Sequence, residues 1–194
     1  MKLFKEKYVS DNEFDKVFPN QFRGEISHDH WTPVHIAKQA SLWLSEDSDT
    51  ICDLGCGVGK FCFVGAVLTD SHYTGIDYRK SVITYAKQIT KKYKLEDKIS
   101  FINQDFSDVD LSGYTGFYFF NPYLEHFFTT SYITSEIKMD ISSIKIYTKH
   151  LKDFFSKVEN NISIVTYDNV FSIIPKEVFK LKKTENGLNL YQNF

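Results

Sequence analysis

The 194-residue sequence predicts an α/β fold, a doubly wound and mostly parallel sheet that ends in an antiparallel hairpin. Three observations carry this. Short β-rich runs alternate with longer helical ones, the pattern of a parallel sheet covered by helices. A glycine turn, Gly55 to Gly59, joins a hydrophobic run to a helical one. Near the end, Asn186-Gly187 separates two strand-like runs, and that dipeptide is the strongest short hairpin signal.

The first 29 residues read as irregular or weakly helical, with spaced aromatics at Phe4, Tyr8, Phe14, Phe18 and Phe22. A helix is expected to begin at Thr32-Pro33, with Thr as N-cap and Pro at the first helical position. Thr50 to Leu54 reads as a buried strand and Lys60 to Leu68 as a helix. His72 to Ile76 is a second strand, Ser81 to Tyr93 an amphipathic helix and Ile99 to Asn103 a third strand. Gly116 to Phe120 is a fourth, aromatic strand. A helix over Ser142 to Val158, a strand over Ile162 to Tyr167 and the runs Phe179 to Thr184 and Leu188 to Tyr191 complete the series. The whole, residues 1–194, is read as one domain, with 1–29 as a lid segment over a core of 30–194.

Composition narrows the function classes. With 42% hydrophobic residues the chain is no disordered polymer. No apolar run reaches bilayer length, and Met1 to Tyr8 mixes charges with apolar residues, so a soluble, cytoplasmic protein is expected. A net charge of −2 gives no bulk attraction to nucleic acid. The lysine runs Lys91, Lys92, Lys94, Lys98 and Lys176, Lys180, Lys182, Lys183 read as solvated faces. Cys52, Cys56 and Cys62 have no common zinc spacing and read as small core residues. His28 and His30 lack a third ligand, so no metal is expected.

The sharpest motif is Asp53-Leu54-Gly55-Cys56-Gly57-Val58-Gly59. Glycine allows positive φ and close approach of a ligand to the backbone. The helix that follows offers free N–H groups and a positive dipole end. A dinucleotide fingerprint would place its third glycine at position 60, which is Lys60. Asp53, in the strand, would repel a pyrophosphate but pair with an ammonium group. An NAD(P)-dependent oxidoreductase is therefore the second reading, and a non-catalytic cofactor-binding scaffold the third.

The glycine motif resembles motif I of class I S-adenosylmethionine-dependent methyltransferases. The likeness extends to the terminal hairpin and implies a Rossmann-like, seven-stranded sheet whose last strand inserts antiparallel beside the fifth. It implies S-adenosylmethionine as cofactor, held by Asp53, Gly55, Gly57 and Gly59. It gives Asp77, at the end of the second strand, to the ribose hydroxyls, with Tyr78 against the adenine face. Asp105 would accept from the adenine amino group, and the next backbone N–H, that of Phe106, would donate to the ring. Asp77 as a helix cap and Asp105 as a turn residue are the bland alternatives.

Asn121-Pro122-Tyr123, after the fourth strand, resembles the Asn/Asp-Pro-Pro-Tyr/Phe motif of enzymes that methylate amino groups, with one Pro in place of two. The resemblance makes these three the catalytic candidates and implies a nitrogen acceptor. A protein side chain or small molecule is favoured over nucleic acid. Glu125 or His126 is either a general base or part of a solvated loop. Arg23 is either a partner for the methionine carboxylate or a surface residue.

Overall fold

The computed structural model describes residues 10–18, 20, 31–120, 141–159, 161–167 and 173–193. Seven strands form one sheet: β1 (Thr50–Leu54), β2 (His72–Ile76), β3 (Ile99–Ile102), β4 (Gly116–Phe120), β5 (Ile162–Tyr167), β6 (Lys180–Glu185) and β7 (Leu188–Asn193). Their order is β3-β2-β1-β4-β5-β7-β6. The first five are parallel; β7 runs antiparallel beside β5 and β6 antiparallel beside β7. The Asn186-Gly187 turn has both residues at positive φ, 50° and 81°. That is the backbone twist a two-residue hairpin needs.

The helices are α1 (Asp11–Phe14), α2 (Val34–Ser45), α3 (Lys60–Leu68), α4 (Lys80–Tyr93) and α5 (Ile141–Phe155). A 3-10 turn, Asp15–Val17, continues α1, and another, Phe106–Asp108, follows β3. The sheet is covered on both sides, so its strands alternate between two cores. Along β4, Phe117 and Phe119 join Leu151 and Phe155 of α5 in one core. Tyr118 faces the other core, with Val34, Trp43, Phe61 and Val82 of α2, α3 and α4. A period of two with both faces apolar is the signature of a central parallel strand.

Two departures from the sequence reading are local. Helix α2 begins at Val34, with Pro33 at the N-cap position and no side-chain cap of its own. The Thr32 hydroxyl instead shares a hydrogen bond of 2.9 Å with the Tyr118 hydroxyl. The capping carboxylate comes from Asp11, whose Oδ1 accepts from the Val34 N–H at 2.9 Å. The N-terminal stretch also forms a true, if short, helix, with Ser10 and Glu13 in a reciprocal capping box. The outer strand β6 is exposed throughout. Its lysines and a register shift between Leu181 and Lys183 guard an open edge.

Helix α3 lies so close to β2 that a side chain at Gly65 has no room. A Cβ there would sit 2.3 Å from the Tyr73 ring. Tyr73 is fully buried and its hydroxyl shares a 2.9 Å hydrogen bond with Thr69. Gly65→Ala is expected to destabilise the fold by about 1–3 kcal/mol through overpacking, read by urea unfolding.

Candidate functional site

The site follows from where β1 ends. The chain leaves Leu54 and turns through Gly55, Gly57 and Gly59 with φ of 79°, 55° and 84°. L-residues rarely adopt these values, so three glycines in alternation are a backbone requirement. Gly59 is also the N-cap of α3, and a Cβ there would lie 2.3 Å from the Phe101 ring. Above Gly57 there is room: a Cβ would have no neighbour closer than Arg79 Nη2 at 3.9 Å and Trp31 Nε1 at 4.0 Å.

Asp53 is buried beneath this turn, and its Oδ2 accepts from the Cys62 thiol at 3.6 Å. Burial pushes its pKa up to about 8; the thiol contact lowers it and the neighbouring Asp77 charge raises it further. With no cationic partner among the described residues it is a neutral acid at pH 7. Burial also holds the thiols of Cys52, Cys56 and Cys62 well above their usual range, which makes them poor nucleophiles.

Asp77 stands at the carboxyl end of β2, beside the turn, and is itself buried. Its Oδ2 accepts from the Gly57 N–H at 3.0 Å and its Oδ1 from the Arg79 backbone N–H at 2.9 Å. The Arg79 guanidinium then closes on both oxygens, Nε to Oδ1 at 2.9 Å and Nη2 to Oδ2 at 2.6 Å. Arg79 is buried as well. The carboxylate expected to receive ribose hydroxyls is thus held by an internal cation. Tyr78 is half exposed beside it, with the Arg79 guanidinium carbon 6.0 Å from its ring centre.

Asp105 caps the 3-10 turn: Oδ1 accepts from the Ser107 N–H at 3.0 Å and from its hydroxyl at 2.8 Å. Its Oδ2 accepts from the Tyr147 hydroxyl, whose pKa is raised by burial and by this bond. Phe106 is buried, 5.0 Å from the Tyr147 ring centre. Asp53 lies near the end of β1, and Asp77 and Asp105 follow β2 and β3, so all three sit toward the carboxyl ends of parallel strands, where open α/β sheets bind ligands. Asn121, Pro122, Tyr123, Glu125 and His126, with Arg23, His28 and His30, lie outside the described residues.

Three contributors escaped the sequence reading. Lys60, met there only as the residue that spoils a dinucleotide fingerprint, is buried with its Nζ 2.5 Å from Asp11 and 2.9 Å from Asp15. It ties the N-terminal helix to the start of α3; the spacing of Asp11 and Asp15 was the available signal. Arg79 follows Asp77 at a spacing that permits a local bidentate pair. Trp31, just after the lid segment, is buried with its Nε1 beside the turn at Gly57.

A strand order of 3-2-1-4-5-7-6, a glycine turn after β1 and an acid following β2 define a class: Rossmann-like domains with a mostly parallel seven-stranded sheet. Residues 45–137 match the family model described as a methyltransferase domain. A sterol 24-C-methyltransferase of Pneumocystis carinii is 30% identical over 52% of this chain and 23% of its own length. That of Debaryomyces hansenii is 37% identical over 31% of this chain and 16% of its own. An RNA methyltransferase from Salinibacter ruber, solved with S-adenosyl-L-homocysteine, superposes with a TM-score of 0.57 at 17% identity, covering 82% of this chain and 90% of that one. Over residues 45–137 the chain is thus similar to methyltransferase domains, and its fold is that of Rossmann-like methyltransferases. It spans less than a quarter of the length of these curated fungal relatives. No helix among the described residues is long and apolar enough to cross a membrane.

Proposed function

We propose that this chain binds S-adenosylmethionine over the glycine turn and transfers its methyl group to a nitrogen acceptor, on a protein side chain or a small molecule. One observation carries the reading. Gly55, Gly57 and Gly59 all lie at positive φ between two buried strand-end carboxylates, Asp53 and Asp77. The residues fit such a ligand. The space above Gly57 admits a close-lying group, Asp53 meets no cation among the described residues, and Asp77 has a carboxylate ready for two donors once Arg79 turns away.

The cofactor supplies a methyl already activated by sulfonium charge. Bound there, it would pass that methyl in line to the acceptor nitrogen, leaving the neutral thioether, with the nitrogen's proton passing to solvent. The chain's task is to align and to exclude water. Asp53 accepts the ligand's ammonium and becomes ionised. Asp77 takes the ribose hydroxyls, and Asp105 with the Phe106 N–H reads the adenine. Asn121 and the carbonyl of Pro122 orient the acceptor's N–H groups, and Tyr123 stacks on it.

The Asn121 role has a direct test. The wild-type protein with methyl-labelled S-adenosylmethionine and fractionated lysate is expected to label an acceptor. Asn121→Ala should lower the rate by a factor of about 100 or more, the scale of losing a positioning contact at the reacting centre, while leaving cofactor affinity intact. Labelling at an undiminished rate in that variant would remove the Asn-Pro-Tyr loop from the mechanism.

A further inference from the structure

Trp31 carries a buried indole N–H with no hydrogen-bond partner among the described residues. Such groups normally find one, because an unpaired buried donor is costly. The ring is fixed on its other sides. Phe18 meets it edge to face at 4.9 Å between centres, and Lys60 Nζ lies 5.8 Å from its centre. Phenylalanine would pack there without the cost. The Nε1 atom bounds the space above Gly57, and the atom across from it is Arg79 Nη2. The third boundary is the start of α3, a nine-residue helix whose first N–H groups point toward the turn. Among the described residues the two side-chain atoms nearest this space, Trp31 Nε1 and Arg79 Nη2, are both donors, and the Asp77 carboxylate that also reaches the Gly57 N–H is paired with Arg79. A ligand atom seated there has to be an acceptor, and an anionic one is favoured.

We propose that Trp31 Nε1–H is a ligand-binding donor that holds the carboxylate of the amino-acid end of the cofactor above Gly57. The assignment rests on the proposed adenosyl ligand and adds to it the residue that recognises one end. It makes Trp31 a specificity determinant between ligands that share adenosine and differ in the carboxylate. A carboxylate there also lies beside the Arg79 guanidinium, so its seating and the release of Asp77 are one event.

Two probes separate the ends: S-adenosylhomocysteine, which has the carboxylate, and methylthioadenosine, which lacks the amino-acid end. By calorimetry the wild-type protein is expected to bind the first more tightly. Trp31→Phe should weaken S-adenosylhomocysteine by about 10- to 100-fold, the worth of a hydrogen bond to a charged group. It should leave methylthioadenosine unchanged, which also shows that the variant is folded. In the wild-type protein labelled with ¹⁵N, the Trp31 indole resonance, assigned by Trp43→Phe, should move downfield with S-adenosylhomocysteine and stay in place with methylthioadenosine. Equal losses for both ligands, an unchanged affinity for S-adenosylhomocysteine, or a stationary indole resonance would overturn the assignment. If neither probe binds the wild-type protein, the adenosyl reading itself fails and this one with it.

Discussion

Arg79→Ala is expected to weaken the ligand-free protein and to tighten its hold on an adenosyl ligand that lacks the amino-acid end. Asp77 and Arg79 are both buried, and the guanidinium makes two contacts of 2.9 and 2.6 Å to the carboxylate. Removing one partner of a buried ion pair strands the other and costs about 3–5 kcal/mol. In Arg79→Ala, Asp77 keeps only its backbone donors, and the unfolding midpoint should fall accordingly. Ribose hydroxyls arriving at Asp77 then take over acceptor sites that nothing else holds. In the wild-type protein the same hydroxyls must first displace Arg79. The cycle closes only if the ligand binds the variant more tightly by the interaction it no longer has to break. A thermal-shift series against methylthioadenosine, which has the ribose and lacks the amino-acid end, should therefore show a lower starting point and a larger ligand-induced rise for Arg79→Ala. A variant with unchanged stability, or a smaller rise, would show that Arg79 does not guard Asp77.

The second large effect concerns protons. Asp53 has a pKa near 8 in the ligand-free protein, raised mainly by burial, against an ordinary value of 3.8. Between these values the folded state keeps a proton that the unfolded state has lost. Stability therefore falls as pH rises from about 4 to about 8, with a slope approaching about 1.4 kcal/mol per pH unit. Asp53→Asn removes this slope, so urea unfolding of the variant should be flatter with pH and its advantage greatest at pH 8. Ligand binding reverses the cause. An ammonium beside Asp53 favours the carboxylate, so binding S-adenosylmethionine at pH 7 should release about one proton. Calorimetry in buffers of different ionisation enthalpy reads that number directly. Binding without proton release would place the ammonium away from Asp53.

The strands and the glycine turn were legible because their causes are local. β1, β2, β4 and β5 are short apolar runs buried on both faces, and α3 starts where Gly59 must adopt positive φ. The hairpin was carried by Asn186-Gly187 alone. What escaped was set by residues distant in sequence. The cap of α2 comes from Asp11, so a local window naturally assigned it to Thr32, whose hydroxyl is engaged by Tyr118. The partners of Lys60, Asp11 and Asp15, lie more than forty residues before it, so its burial had no local signal. At the site, the acids were visible as types at strand ends, but their partners were not. That Arg79 holds Asp77, and that Ser107 and Tyr147 hold Asp105, depends on side-chain packing that no spacing rule encodes.

The account stands on Asp53 and Asp77 gripping an adenosyl amino acid across the glycine turn. Calorimetric titration of the wild-type protein and of Asp77→Ala with S-adenosylhomocysteine tests it most directly. The predicted result is saturable one-to-one binding by the wild type and a loss of about 10-fold or more in Asp77→Ala, as befits removal of charge-assisted hydrogen bonds. No binding by the folded wild-type protein, or equal affinity in the variant, would contradict it.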